Sequence, residues 1–89
     1  MKFIVFTSQF KRDYKKRQRE KGINELLDDT LDKISSGTVL SIKFRDHPLK
    51  GNYFGCRECH LKPDLLLIYT VTDTELHLIR LGSHSDLFS

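Results

Sequence analysis

The sequence has no tryptophan, only two cysteines and two prolines, and no apolar run longer than the five residues Leu65 to Tyr69. Each shortage closes off a class of protein. The short run excludes a transmembrane helix, which needs about 20 apolar residues. Two cysteines do not build a disulfide framework. Without an indole, stacking against a ligand falls to Tyr and Phe. No repeat, low-complexity tract or long linker divides the chain, and 89 residues hold one core of useful size. One domain over residues 1–89 is therefore expected. Met1 to Phe6 begins like an export signal, but its apolar stretch is only four residues and no small-residue cleavage site follows. The expected location is the cytoplasm, with no membrane partner.

What is present is charge, unevenly spread. The net charge of +3 combines +6 over residues 1–22, −3 over residues 23–36 and an even balance over the remainder. One surface is basic and another acidic, and the basic one is the better guide to a partner.

The residues 2–6 are rich in β-formers and predict a short strand. Thr7 or Ser8 then caps a helix running to about Lys21, with Gly22 as its stop. That helix carries Lys11/Lys15, Arg12/Lys16, Lys15/Arg19 and Arg17/Lys21 as like-charge pairs four apart, each unfavourable by about 0.2–0.5 kcal/mol. Asn24 is the expected cap of a second helix, in which Ile23, Leu26, Leu27, Thr30, Leu31 and Ile34 recur at helical spacing and Gly37 ends the run. The short connection predicts a helical hairpin on one face of a sheet. Residues 53–60 predict a strand, Leu61-Lys62-Pro63 a turn, Asp64 to Val71 a second strand and Glu75 to Leu81 a third. Leu65 to Val71 show no alternation, as befits a central strand covered on both faces. The expected fold is α+β, in the order β-α-α-β-β-β, with an antiparallel sheet and the hairpin on one side.

This topology brings reactive side chains together. His60 ends one strand, Asp64 opens the next, and His84 follows the strand that returns, so all three fall at one edge of the sheet. Arg80, four residues before His84, brings a permanent positive charge there. His47 lies in a connection long enough to join them. His77 sits in mid-strand and receives no role.

Cys56 and Cys59 are three apart on a strand, hence on opposite faces, so they do not share a metal. A structural zinc site also needs four ligands, and a thioredoxin-like site needs a helix after the motif. Both thiols are expected in the core. A metal held by His60, Asp64 and His84 is open on ligand type but opposed by the charges of Lys50, Arg57, Lys62 and Arg80. The basic first helix reads either as a solvated face or as a surface whose self-repulsion a polyanion relieves. In the second case Tyr53, Phe54 or Phe88 would stack on an unpaired base, Phe88 foremost.

Imidazoles exchange protons near neutrality. RNA brings its own nucleophile, the 2′-hydroxyl, and its cleavage needs a base, an acid and cations at the phosphoryl oxygens. Two or three histidines, a carboxylate and an arginine supply those parts with no metal or organic cofactor. The carboxylate serves either in proton transfer or in orienting a ring.

The stretches Asp46-His47-Pro48-Leu49-Lys50-Gly51, Arg57-Glu58-Cys59-His60-Leu61-Lys62-Pro63-Asp64 and Arg80-Leu81-Gly82-Ser83-His84-Ser85-Asp86-Leu87-Phe88 resemble the YafQ branch of the RelE/ParE toxin superfamily. The resemblance implies a type II toxin, an endoribonuclease that cuts messenger RNA in the A site of the 30S ribosomal subunit, with a cognate antitoxin as protein partner. It carries His47, His60, Asp64, His84 and Phe88 onto the active-site set. His84 would be the general acid, with His47, His60 or Asp64 as base or orienting group. Arg80 would stabilise the transition state, and Phe88 would position the nucleotide. Lys50, Arg57, Lys62, Lys11 and Lys15 are the expected contacts to the RNA backbone. A ParE-like inhibitor of DNA gyrase and a non-catalytic RNA-binding module are the alternatives on the same scaffold.

Overall fold

The computed structural model describes residues 2–88. Strand β1 (Phe3–Phe6) leads into helices α1 (Ser8–Arg17) and α2 (Ile23–Ser35). Strands β2 (His47–Pro48), β3 (Arg57–Lys62), β4 (Leu65–Val71) and β5 (Glu75–Gly82) follow, then the short helix α3 (His84–Phe88). The five strands form one sheet in the order β1-β5-β4-β3-β2. The meander β3-β4-β5 is antiparallel, as expected from its short turns. The sheet as a whole is mixed, because β1 lies parallel to β5. Parallel neighbours need a crossover rather than a tight turn; here α1, α2 and strands β2 to β4 intervene between the two strands.

Both predicted helices form, with shifted ends. Thr7 caps α1: its Oγ1 accepts from the Phe10 N–H at 3.1 Å and donates to the Leu78 carbonyl at 2.8 Å, tying the helix start to β5. The helix stops at Arg17 rather than Lys21. Stopping there takes Lys15/Arg19 and Arg17/Lys21 out of helical register, and Arg17 instead meets Glu20 at 3.1 Å and Asp86 at 3.0 Å. Helix α2 begins one residue before the expected cap. Gly22 holds the capping position with φ of +77°, while Asn24 accepts a hydrogen bond from the Tyr14 hydroxyl and links the two helices. At its other end Thr38 N–H reaches the Lys33 carbonyl and Gly37 N–H the Ile34 carbonyl, the paired bonds of a Schellman stop with a left-handed glycine.

The stripe Ile23, Leu27, Leu31 and Ile34 packs with Phe10 of α1 onto Cys59, Leu61, Leu65, Leu67, Tyr69, Leu76, Leu78 and Leu81. The opposite side of the sheet holds a smaller cluster of Leu66, Ile68 and Leu87, edged by Leu49, Tyr53, Cys56 and Ile79. Strand β4 therefore feeds two layers, one from its odd-numbered residues and one from its even-numbered ones. The expected strand over 53–60 is replaced by a tight turn at Gly51–Tyr53 and a strand starting only at Arg57. Gly51 and Gly55, both at positive φ, turn the chain there. Through a bulge between His60 and Lys62, β3 runs on into the predicted turn, and the chain turns at Pro63 and Asp64, one residue later than expected. After β5 the chain turns into α3, which sequence period alone does not predict.

Beyond Leu78, β5 has no strand beside it on this edge, because β1 ends at Phe6. Asp13 of α1 takes over. Its carboxylate accepts from the Leu81 N–H at 3.0 Å and from Arg80 Nε and Nη2 at 2.7 and 3.1 Å. Removing one member of a buried ion pair strands the other. Asp13→Ala is therefore expected to lower unfolding stability by about 3 kcal/mol, read as a shift in the urea midpoint.

The cysteines lie on opposite layers, as expected, although Cys56 precedes β3 rather than lying on it. Burial, with help from the nearby Asp46 and Glu58 charges, pushes the Cys59 thiol up to about 12, and burial also raises Cys56. A raised thiol is un-ionised and unreactive at about pH 8. In the native protein at that pH, iodoacetamide should label the half-buried Cys56 slowly and leave Cys59 untouched, with both labelled after unfolding; mass spectrometry of the labelled peptides reads this directly.

Candidate active site

The layer that α1 and α2 do not cover carries the histidines. Register aligns His47, Glu58, Ile68 and Arg80 in one row across β2, β3, β4 and β5, and His60, Leu66 and Gly82 in a row beside it. Leu66 and Ile68 belong to the smaller cluster, so alternation puts Glu58, His60 and Arg80 on its side of the sheet. At Gly82 a Cβ would come within 3.1 Å of Asp86, and its absence lets α3 fold straight back onto this layer.

Helix α3 is fastened at its start. Ser83 N–H donates to Asp86 at 3.2 Å and Ser83 Oγ accepts from Asp86 N–H at 3.1 Å, a reciprocal cap. The Ser83 backbone N–H and then Arg17 hold the Asp86 carboxyl below the usual carboxylate range. Asp64, from the β3–β4 turn, accepts the His84 N–H at 3.2 Å, and its oxygen lies 3.6 Å from His84 Nδ1.

The three residues expected to meet do meet. The His84 and His60 rings are 5.8 Å apart, and Asp64 stands against His84. His84 also faces Phe88 at 5.8 Å, and Phe88 meets Tyr53 edge-on at 5.8 Å. His47 joins through an intermediary: its Nε2 is 3.8 Å from Glu58 Oε1, and the same oxygen is 3.1 Å from His60 Nε2. His47 Nδ1 lies 2.5 Å from the Arg45 carbonyl, which keeps a proton on that nitrogen. Arg80 donates to the Tyr53 hydroxyl at 3.2 Å as well as to Asp13. Asp13, the largest influence, and Tyr53 hold its guanidinium above its ordinary range, with burial opposing them.

Two of these residues, Glu58 and Asp13, do not stand out in the sequence. Glu58 has a readable signal, since a strand places it on the same face as His60 two residues away. Asp13 has none, because its link to Arg80 depends on how α1 docks.

The expected backbone contacts divide. Lys50 is exposed and follows Leu49, which edges the smaller cluster. Arg57 is not there: alternation turns it to the helix-covered side, where it meets Asp46 at 3.3 Å and shares a register position with Tyr69. Lys62 follows the bulge toward Glu20, 3.8 Å away. Lys11 lines the groove between α1 and α2 with Phe6, Tyr14 and Leu27, and Lys15 is exposed on the same helix, so neither reaches the histidines. Among the described residues no three of His, Cys, Asp and Glu are arranged to hold one metal ion, and no helix is long and apolar enough to cross a membrane.

Residues 2–89 match the model of a family described as a bacterial toxin of type II toxin-antitoxin system, YafQ. The chain is 37% identical over 86 residues to the mRNA interferase toxin YafQ of Escherichia coli K12, covering 96% of this chain and 94% of that one. The structure of a metal-bound toxin from Helicobacter pylori aligns at a TM-score of 0.90 with 41% identity, over 99% of this chain and 100% of that one. YafQ in the E. coli DinJ-YafQ complex aligns at 0.86 with 32% identity over the whole of both chains. The fold, the full-length match and the identity agree: this chain belongs to the YafQ family of type II toxin–antitoxin toxins.

Proposed function

We propose that this protein is a ribosome-dependent endoribonuclease that cuts messenger RNA in the 30S A site by acid–base catalysis. The observation that carries the reading is a pair of imidazoles, His60 and His84, 5.8 Å apart and each set against its own carboxylate, Glu58 and Asp64. A pair so spaced suits the two proton transfers of RNA cleavage. The 2′-oxygen attacks the adjacent phosphorus and gives its proton to one ring, on the His47–His60 side. The bond from phosphorus to the 5′-oxygen breaks, and His84 gives that oxygen a proton. The products are a 2′,3′-cyclic phosphate and a 5′-hydroxyl. Arg80, kept cationic beside Asp13 and Tyr53, supports charge on the phosphoryl oxygens. Phe88 and Tyr53 offer the aromatic surface for a base.

The relative's description as an mRNA interferase supports the substrate class, and the family supports the ribosomal setting and, with it, a cytoplasmic location. The partner is an antitoxin, as DinJ is for the E. coli protein. Its acidic segment would complement the excess of positive charge on residues 1–22.

His84 is largely exposed, so its removal should leave the fold intact. His84→Ala is expected to lower transcript cutting by about 100- to 10,000-fold, scored by primer extension with translating ribosomes, with an unchanged urea midpoint. Wild-type cutting should survive EDTA. Undiminished cutting by His84→Ala would overturn the assignment. Loss of supercoiling in a gyrase assay without cut transcripts would favour the ParE-like alternative, and ribosome binding without cutting by the wild-type chain a binding module.

A further inference from the structure

A cavity of about 530 Å³ lies between α2, the turn Ile42–Phe44 and the end of β3, a size within the roughly 300–1,000 Å³ of pockets that take small ligands. Three cations line it, Lys43, Arg45 and Lys62, with Leu26, Leu61 and Pro63 as its apolar wall. The carboxylate in that wall, Asp29, is already held by Lys33 at 3.0 Å. Lys43 lies over the Phe44 ring, 5.5 Å from its centre, and Arg45 is exposed. Neither has a carboxylate partner among the described residues. Lys62 has Glu20 at 3.8 Å, a half-exposed pair that costs little to open. Like charges gathered round a concave surface focus the field and draw in an anion.

The cavity touches the active site in two places. His60 belongs to its wall. Arg45 lines it too, while the carbonyl of that residue lies 2.5 Å from His47 Nδ1. Arg45 is also the one non-glycine residue at positive φ among those described, at +49°, a conformation that recurs at ligand clamps. His84, Asp64 and Phe88 take no part in the cavity. It therefore adjoins the side of the site that holds His47 and His60, not the side that holds His84.

We infer that this cavity is a subsite for the RNA strand on the 5′ side of the cleaved bond, with Lys43, Arg45 and Lys62 on its phosphate and the apolar wall against its base. The polarity follows from the chemistry. The nucleotide that yields its 2′ proton stands on the 5′ side of the scissile phosphate, and it faces the His47–His60 side. The oxygen that leaves starts the 3′ portion, at His84. A strand continued past His60 thus enters the cavity with its upstream nucleotide. An acidic peptide would satisfy the cations, yet it would use neither the apolar wall nor the neighbouring proton-transferring ring. This placement rests on the cleavage proposed above, but binding and polarity are measurable without any cleavage.

The probe is a short 2′-O-methyl oligoribonucleotide, which lacks the nucleophile, titrated into the free protein and followed by NMR. Amide signals of Lys43, Arg45 and Lys62 should move together with those of His60 and His84. A spin label on the 5′ end should broaden the Lys43 and Lys62 amides, and one on the 3′ end should spare them. Lys43→Glu changes an exposed side chain, so the urea midpoint should hold. Its Kd should rise about 3- to 10-fold, with a salt dependence shallower by about 0.7 for the lost phosphate contact. With translating ribosomes its KM should rise more than its kcat falls. Shifts confined to the histidines, broadening of Lys43 by the 3′ label, or an unchanged Kd each overturn the subsite. So does a Lys43→Glu variant that keeps its RNA affinity but loses affinity for an acidic antitoxin segment. If the free protein does not bind the short probe, the ribosomal assay decides, and an unchanged KM overturns the inference. A chain that binds RNA with this polarity but cuts none would count against the proposed function alone.

Discussion

Alternation along a strand buried on both faces is the constraint on which the rest depends. Strand β4 is central, and each side chain from Leu65 to Tyr69 is buried. Its odd positions commit to the layer under the helices and its even positions to the other. Register then distributes every neighbour. Cys59 and Leu67 must face the helices, while Glu58, His60 and Arg80 must face away from them. A shift of one residue in β3 would exchange the two sets, sending a carboxylate and an imidazole into the apolar core and a cysteine to the reactive layer. The stability of the core and the composition of the site are thus fixed by the same pairing.

The reactive layer is thin. Among the described residues its buried apolar side chains are Leu66, Ile68 and Leu87, so much of its order comes from polar ties rather than apolar burial. Asp13 reaches around the edge of β5 and replaces the hydrogen-bond partner that a longer β1 would have given Leu81. The same carboxylate orients Arg80, which in turn meets Tyr53, the ring against Phe88. On the far side Asp64 holds the first residue of α3, and Arg17 holds Asp86. Helix α1 therefore serves the site on which it does not lie, through one residue in its middle and one at its end.

Much of this is legible in the sequence. The α2 stripe, the two-sided burial of β4 and the meeting of His60, Asp64 and His84 all follow from local period and strand direction, which short turns pass on without loss. The divergences have physical causes. The chain between Lys50 and Arg57 reads as a strand by composition, but Gly51 and Gly55 take up positive φ and break it. Helix α1 reads four residues too long because like charges oppose propagation there. Arg57 joins the expected substrate contacts by its charge, although alternation against His60 already assigns it to the other face. Glu58 escapes notice for the opposite reason: an acidic residue on a strand reads as solvent-facing until the pairing shows it enclosed. The parallel pairing of β1 with β5, and the reach of Asp13 to Arg80, depend on tertiary docking and leave no local trace.

That parallel pairing has a consequence for how the molecule is made. Phe3 lies beside Glu75 and Phe6 beside Leu78, so the strand synthesised first must wait for the one synthesised last. Until β5 has emerged from the ribosome, β1 has no neighbour, Asp13 has no arginine, and α3 has no sheet to lie on. Contacts between such distant parts of a chain form late. Assembly of the sheet edge and of the reactive layer then becomes a single closing event, and a growing chain carries none of the finished protein's destructive capacity.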